Sequence, residues 1–227
     1  MKKYNIVIFD LDGTLLDTIQ DITNAINNTL DEVGILSRID NNVTKAFIGN
    51  GATKLMERIF SYLSLNELQQ DKFRSLYFEN YSKEVNKETK PFDGVKETLL
   101  CLKSKGYKLG VISNKPHVDA LKSVEMHFEN IFDFVVGKQE NVAPKPNKEV
   151  FDSIEYLKNI NRKEIVYVGD MQVDIIFSEN INVDVIICKH GYGKYHEMSN
   201  YNYLINNFNE LINILENEDE KKKLWSS

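Results

Sequence analysis

Tyr4-Asn5-Ile6-Val7-Ile8-Phe9, followed at once by Asp10-Leu11-Asp12-Gly13-Thr14, is the stretch that decides how the rest of the chain is read. A short apolar run without polar alternation suits a strand covered on both faces, as in the interior of a parallel sheet. Polar residues with a glycine directly after such a strand mark the carboxyl end of the sheet, where open α/β sheets bind their ligands.

Outward from this strand, Ile19, Ile22, Ala25, Ile26, Leu30 and Val33 recur at helical spacing, and Gly34 supplies a stop. Further helices are expected over 52–63, after Gly49 and Gly51, and from Asn66 to about Val85. Residues 16–86 thus read as all-helical, with no strand signal. From Pro91 the pattern alternates. Helix is expected over 95–105, strand over 107–112, a turn at Ser113-Asn114-Lys115-Pro116 and helix to about Met126. Strand 132–136, helix 147–157, strand 165–168, helix 173–179 and strand 183–188 follow. Such alternation means crossover connections and a parallel sheet with helices on both faces. The expected fold is α/β: a Rossmann-like parallel sheet core, 1–15 and 87–227, carrying an inserted all-helical cap, 16–86. The charged segment 216–227, with Trp225, reads as a solvated tail.

Composition excludes several classes of function. Of 227 residues, 42% are hydrophobic and 27% charged, ordinary values for a globular protein. Net charge is -6 and the 28 Lys and Arg residues are scattered, so no basic stripe offers itself to nucleic acid. Met1-Lys2-Lys3 resembles the start of a secretory signal, but Asp10 interrupts the apolar run that follows. No apolar segment approaches bilayer-spanning length, so no membrane partner and a cytoplasmic location are expected. Cys101 and Cys188 sit in apolar runs without metal-ligand spacing and read as buried free thiols.

Four strand ends carry the candidate chemistry. Asp10 and Asp12 leave the first strand close enough that two anions need a cation or a proton between them. Asp10 is the candidate nucleophile toward phosphorus, and Asp12 the acid that protonates the leaving oxygen and later activates water. A plain turn or part of a calcium loop is the alternative, although the calcium loop's terminal Glu is missing. Gly169-Asp170-Met171-Gln172-Val173-Asp174 also ends a strand and opens a helix. Asp170 is a candidate magnesium ligand. Asp174, one turn on, could hold a metal-bound water or orient Lys145, although an acidic helix start is favourable regardless of function. Ser113 and Asn114 sit where a hydroxyl and backbone N–H groups suit phosphate oxygens, or where an ordinary cap would stand. Lys145, between Pro144 and Pro146, is either a charge partner for phosphate and Asp10 or a solvated loop lysine.

Taken in order, Asp10–Thr14, Ser113, Lys145 and Gly169–Asp174 resemble the four motifs of the haloacid dehalogenase superfamily, over essentially the whole chain. The resemblance implies a helical cap between the first and second motifs, and an aspartyl-phosphate intermediate. It also implies Mg2+ held by Asp10, the backbone carbonyl of Asp12, and Asp170. Thr14 joins Ser113 and Asn114 as an expected substrate contact. The second carboxylate, Asp12, favours phosphoryl transfer over carbon–halogen cleavage.

Ile48-Gly49-Asn50-Gly51-Ala52, Asp17-Thr18, Pro91-Phe92-Asp93-Gly94 and His190-Gly191-Tyr192-Gly193 resemble phosphoglycolate phosphatases within that superfamily. Gly49, Asn50 and Gly51 could present backbone N–H groups to a small carboxylate, or simply lead into a helix. The substrate implied is a small phosphate ester, 2-phosphoglycolate before all, with a monomer or homodimer as the working unit. Pyrophosphatase, sugar-phosphate phosphatase and phosphomutase activities share these motifs, although the Gly-x-Ser-Arg segment of the sugar-phosphate mutases is not visible. A non-catalytic phosphate-binding protein would have no need of intact Asp10, Asp12, Lys145 and Asp170. Met171, Asn147 and Asn182 depart from the usual residues at their positions.

Overall fold

The computed structural model describes residues 3–49 and 51–216; Asn50 and the tail 217–227, with Trp225, lie outside the described residues. Eight strands and eight α-helices are used below. The strands are β1 (Ile6–Phe9), β2 (Leu16–Asp17), β3 (Lys90–Pro91), β4 (Lys108–Pro116), β5 (Phe134–Lys138), β6 (Ile165–Gly169), β7 (Asp184–Cys188) and β8 (Tyr203–Ile205). The helices are α1 (Ile19–Val33), α2 (Asn41–Phe47), α3 (Ala52–Leu63), α4 (Glu67–Glu84), α5 (Val95–Ser104), α6 (His117–Phe128), α7 (Glu149–Asp152) and α8 (Gln172–Asn180).

Among the described residues a six-stranded sheet runs in the order β5-β4-β1-β6-β7-β8, parallel throughout. The apolar run of β1 earns its central place by packing on both faces. Val7 and Phe9 join one core layer with Leu99, Val124, Val168 and Phe208. Ile6 and Ile8 point the other way, toward Phe151, Leu157, Tyr167 and Phe177. Each fully buried aliphatic or aromatic side chain of this kind contributes about 1.5–3 kcal/mol.

A third core belongs to α1, α3 and α4. Ile22, Ala25, Ile26 and Leu30 of α1 meet Leu55, Ile59 and Phe60 of α3 and Phe73, Tyr77 and Tyr81 of α4. Gly34 ends α1 in the left-handed conformation, at φ 86°. Asn66 opens α4 with a reciprocal capping box to Gln69. Among the described residues no helix is long and apolar enough to cross a membrane.

The structure corrects several local expectations. Leu16–Asp17 is not helical: it pairs antiparallel with Lys90–Pro91 where the chain leaves and rejoins the sheet. Asp21 reinforces that junction, accepting from Glu88 N (2.8 Å), Thr89 N (3.2 Å) and Thr89 Oγ1 (2.6 Å). The expected turn at 113–116 lies within β4. Ile112 pairs with Val136 but Pro116 with Lys138, so Ser113, Asn114 and Lys115 arch out as a bulge. The expected helix 147–157 breaks into α7 and a 3-10 turn at Glu155–Leu157, because Ile154 takes extended φ/ψ to reach the core. Strand 132–136 begins later, at Phe134, since Asp133 caps Leu109 N at 2.9 Å instead.

Two further elements escaped the sequence: α2, which buries only Thr44, and the edge strand β8. Asn182 does take the left-handed conformation, at φ 54°. Cys188 is buried and Cys101 only half-buried; both are free thiols.

Candidate active site

The carboxyl ends of β1, β4 and β6 converge on one buried charge cluster. Asp10 is fixed as the chain leaves β1, its N–H donating to Val168 O at 2.9 Å. Oxygens of Asp10, Asp170 and Asp174 all lie within 4.8 Å of one another, and all three residues are buried. Lys145 reaches this group from the loop after β5. Its Nζ sits 2.7 Å from Asp174 Oδ1, 3.0 Å from Asp10 Oδ1 and 2.6 Å from Tyr167 OH, with its side chain 1% exposed. Tyr167 OH in turn donates to Ile112 O at 2.9 Å, tying the cluster to β4.

Each acid has a distinct role in the geometry. Asp174 Oδ2 accepts from the amides of Asp170 (3.1 Å) and Met171 (3.0 Å), so this carboxylate both caps α8 and orients Lys145. Asp170 Oδ1 accepts from Thr14 Oγ1 and Oδ2 from Tyr192 N, each at 2.8 Å. Gly13, at φ 89°, allows the close turn: a Cβ there would lie 2.5 Å from Asp170 Oδ2. Asp12 points elsewhere. Its Oδ1 pairs with Lys115 Nζ at 3.0 Å, and the same ammonium donates to Tyr81 OH of α4 at 2.6 Å.

Burial and crowding shift the protonation equilibria. Burial, then the charges of Asp174 and Asp10, push Asp170 well above the usual carboxylate range. Burial also raises Asp10, against the opposing charge of Lys145. Burial disfavours the Lys145 ammonium, but Asp10 and Asp174 outweigh it and the net shift is upward.

A cavity of about 100 Å³ opens above the cluster. Asp10, Asp12, Ser113, Asn114, Lys115 and Lys145 form its sheet side. Ile22, Ile48, Gly49, Gly51, Ala52, Leu55, Tyr77, Phe78 and Tyr81 form its helical side. Asn114 Nδ2 donates to Lys145 O at 3.0 Å, so this side chain holds the lysine loop as well as facing the cavity. Thr14, expected at the substrate, is fully buried behind the cavity with its hydroxyl committed to Asp170. The Asp12 carboxylate stands outside the three-acid cluster. Asn50 lies outside the described residues.

Sequence reasoning gave no role to Lys115, Tyr81, Tyr167 or Tyr192. Tyr81 follows Phe73 and Tyr77 on the α4 core face, which hides it among packing residues. Lys115 stands beside Ser113-Asn114 and was within reach; nothing local said that a bulge would turn it to Asp12.

Residues 7–188 match the family described as haloacid dehalogenase-like hydrolase. The chain belongs to that family. A phosphoglycolate phosphatase of Aquifex aeolicus is 34% identical over 195 residues, covering 83% of this chain and 86% of the relative. One from Colwellia psychrerythraea is 26% identical over 220 residues, covering 93% and 97%. A crystal structure described as a predicted phosphoglycolate phosphatase from Haemophilus somnus 129PT superposes with a TM-score of 0.85 at 26% identity, covering 94% of this chain and 99% of that one. With 94% of the chain covered, this hydrolase shares its fold, helical unit included, with that crystal structure.

Proposed function

We propose that this hydrolase is a magnesium-dependent phosphatase that acts on a small phosphate ester, with 2-phosphoglycolate the leading substrate. The observation that carries the reading is the cluster of Asp10, Asp170 and Asp174 beneath a small cavity, with Lys145 ion-paired into it. Asp10 Oδ1 is buried and, beyond that ion pair, makes no regular hydrogen bond. An all-oxygen donor set of three buried carboxylates, with an Asp10 oxygen that meets only the Lys145 ammonium, fits Mg2+, which takes one or two carboxylates and completes its shell with water and phosphate.

Asp10 and Asp170 are the side chains that would hold Mg2+, with the backbone carbonyl of Asp12 as the third protein ligand. Bound there, the ion would keep both acids ionised and offset the charge of the phosphoryl oxygens. Asp10 attacks phosphorus; the bond to the ester oxygen breaks as Asp12 gives that oxygen a proton, which leaves an aspartyl phosphate. Asp12, now a carboxylate, takes a proton from water. The water oxygen bonds to phosphorus as the Asp10–phosphorus bond breaks, releasing inorganic phosphate and restoring Asp10. Lys145 and Ser113 neutralise and position the phosphoryl oxygens. Residues 16–86 act as a cap whose α1, α3 and α4 walls admit the leaving group and keep bulk water out.

Cavity size supports a short leaving group. About 100 Å³ is far below the roughly 300 Å³ at which sites for drug-sized ligands begin. A carboxylate there would find Lys115 and the start of α3, which has no side-chain cap and lies behind Gly51 of the cavity lining. The names of the relatives point the same way. Phosphate release from a panel of esters, with Mg2+ and with chelator, tests the assignment. 2-Phosphoglycolate is expected to rank first in kcat/KM and to need Mg2+. A higher rank for pyrophosphate or a hexose phosphate would overturn the substrate.

A further inference from the structure

The loop after β7 connects the candidate metal site to the junction where the helical unit leaves the sheet. Gly191 and Gly193 press so closely on Asp170 that a Cβ on either would overlap it, the first against its side chain and the second against its carbonyl oxygen. Between them, Tyr192 N donates to Asp170 Oδ2 at 2.8 Å. The Tyr192 side chain leaves in the opposite sense. Its hydroxyl accepts from Thr18 N at 2.6 Å and donates to Asp17 Oδ1 at 2.8 Å, and so meets both the end of β2 and the residue that starts α1. Lys45 of α2 lies 5.6 Å from the centre of its ring, and Phe92, just past β3, packs at 6.4 Å. His190 Nε2 lies 3.0 Å from Thr14 O and pins the same loop to the chain after β1.

We infer that Tyr192 is a positioning residue that couples the placement of the helical unit to the orientation of the Asp170 carboxylate. The inference rests on Asp170 as a magnesium ligand. One residue touches Asp170 through its backbone and the 17–18 segment through its hydroxyl, with no slack in the loop between. Movement of β2 therefore pulls on the carboxylate, and fixing the carboxylate steadies β2. Because coupling between sites is reciprocal, metal binding at one end must be readable at the other.

Amide hydrogen exchange with Mg2+ alone as the probe tests this, with Mg2+ affinity followed by calorimetry. In the wild-type protein, Mg2+ is expected to slow exchange at the Thr18 amide and its neighbours. In Tyr192→Phe the backbone bond to Asp170 survives, so Mg2+ affinity stays within about threefold. Basal exchange at Thr18 rises about tenfold with the loss of its buried acceptor, and the response to Mg2+ disappears. A purely structural tyrosine would change the basal rate and leave the response intact, which would overturn the coupling. Asp17→Ala, which keeps the tyrosine, is expected to weaken the response as well, and serves if Tyr192→Phe does not fold. Bound Mg2+ with no wild-type response at Thr18 would overturn the coupling alone. No Mg2+ binding to the wild type would overturn the metal reading and the coupling together.

Discussion

The two walls of the cavity are built on opposite principles. On the sheet side, charges are buried and bound to one another: Lys145 to Asp10 and Asp174, Asp170 to Thr14 and Tyr192, Asp174 to two backbone amides. On the helical side, the wall is aliphatic and aromatic, and its one bond to a charge in the cavity, among the described residues, is Tyr81 OH on Lys115. A network of buried ions tolerates almost no substitution, because removing one member strands the others. An apolar wall can change side chain by side chain at small cost. Under the proposed function, this contrast would put chemistry on the sheet and choice of substrate on the helices.

The largest effect should come from the sheet side. Asp10→Asn removes the proposed nucleophile while keeping size, and phosphate release is expected to fall by about 10⁴-fold or more with near-ultraviolet circular dichroism unchanged. Turnover that survives would break the division outright. Lys145→Ala strands Asp10 and Asp174, and in metal-free protein should cost about 3–5 kcal/mol in denaturant unfolding. If that loss is absent, the network is not what holds the sheet side together.

A pH series sharpens the same contrast. Asp170 has its folded-state pKa raised from the ordinary 3.8, so its contribution to metal-free stability is complete below that value and is lost as pH rises through the folded value. Mg2+ bound as proposed would compete with that proton. The rise in Tm on adding Mg2+ is therefore expected to grow with pH over the range above the ordinary 3.8. A rise that shrinks over that range would place the ion elsewhere.

The smallest effect belongs to the helical side. Tyr81→Phe deletes only the hydroxyl facing Lys115. It should raise KM by about fivefold, near 1 kcal/mol, with kcat nearly unchanged. A collapse of kcat instead would mean that α4 takes part in the chemistry.

The sequence showed the sheet side better than the helical side, for a physical reason. A fully buried strand writes itself as Ile6–Phe9, and the residues after it must be special because polar groups rarely follow such a run without purpose. Asp10, Asp12, Ser113 and Asp170 could be placed at strand ends that way, and Lys145 only by the order of the motifs. Lys115 was not, because the two extra residues that bulge between Ile112 and Pro116 depend on the pairing partner in β5. Tyr81 was hidden since it continues a core stripe, and the role of Tyr192 because its hydrogen-bond partners, Asp170, Asp17 and Thr18, are far away in sequence. The edge strand β8 and the helix α2 bury too little to leave a periodic signature.

The most direct test is a crystal structure of the protein with Mg2+ and beryllium trifluoride, a mimic of the phosphoryl group. Beryllium bonded to an Asp10 carboxylate oxygen, with one Mg2+ shared by Asp10 and Asp170, is the predicted result. An unmodified Asp10, or an ion seated away from Asp170, would contradict it.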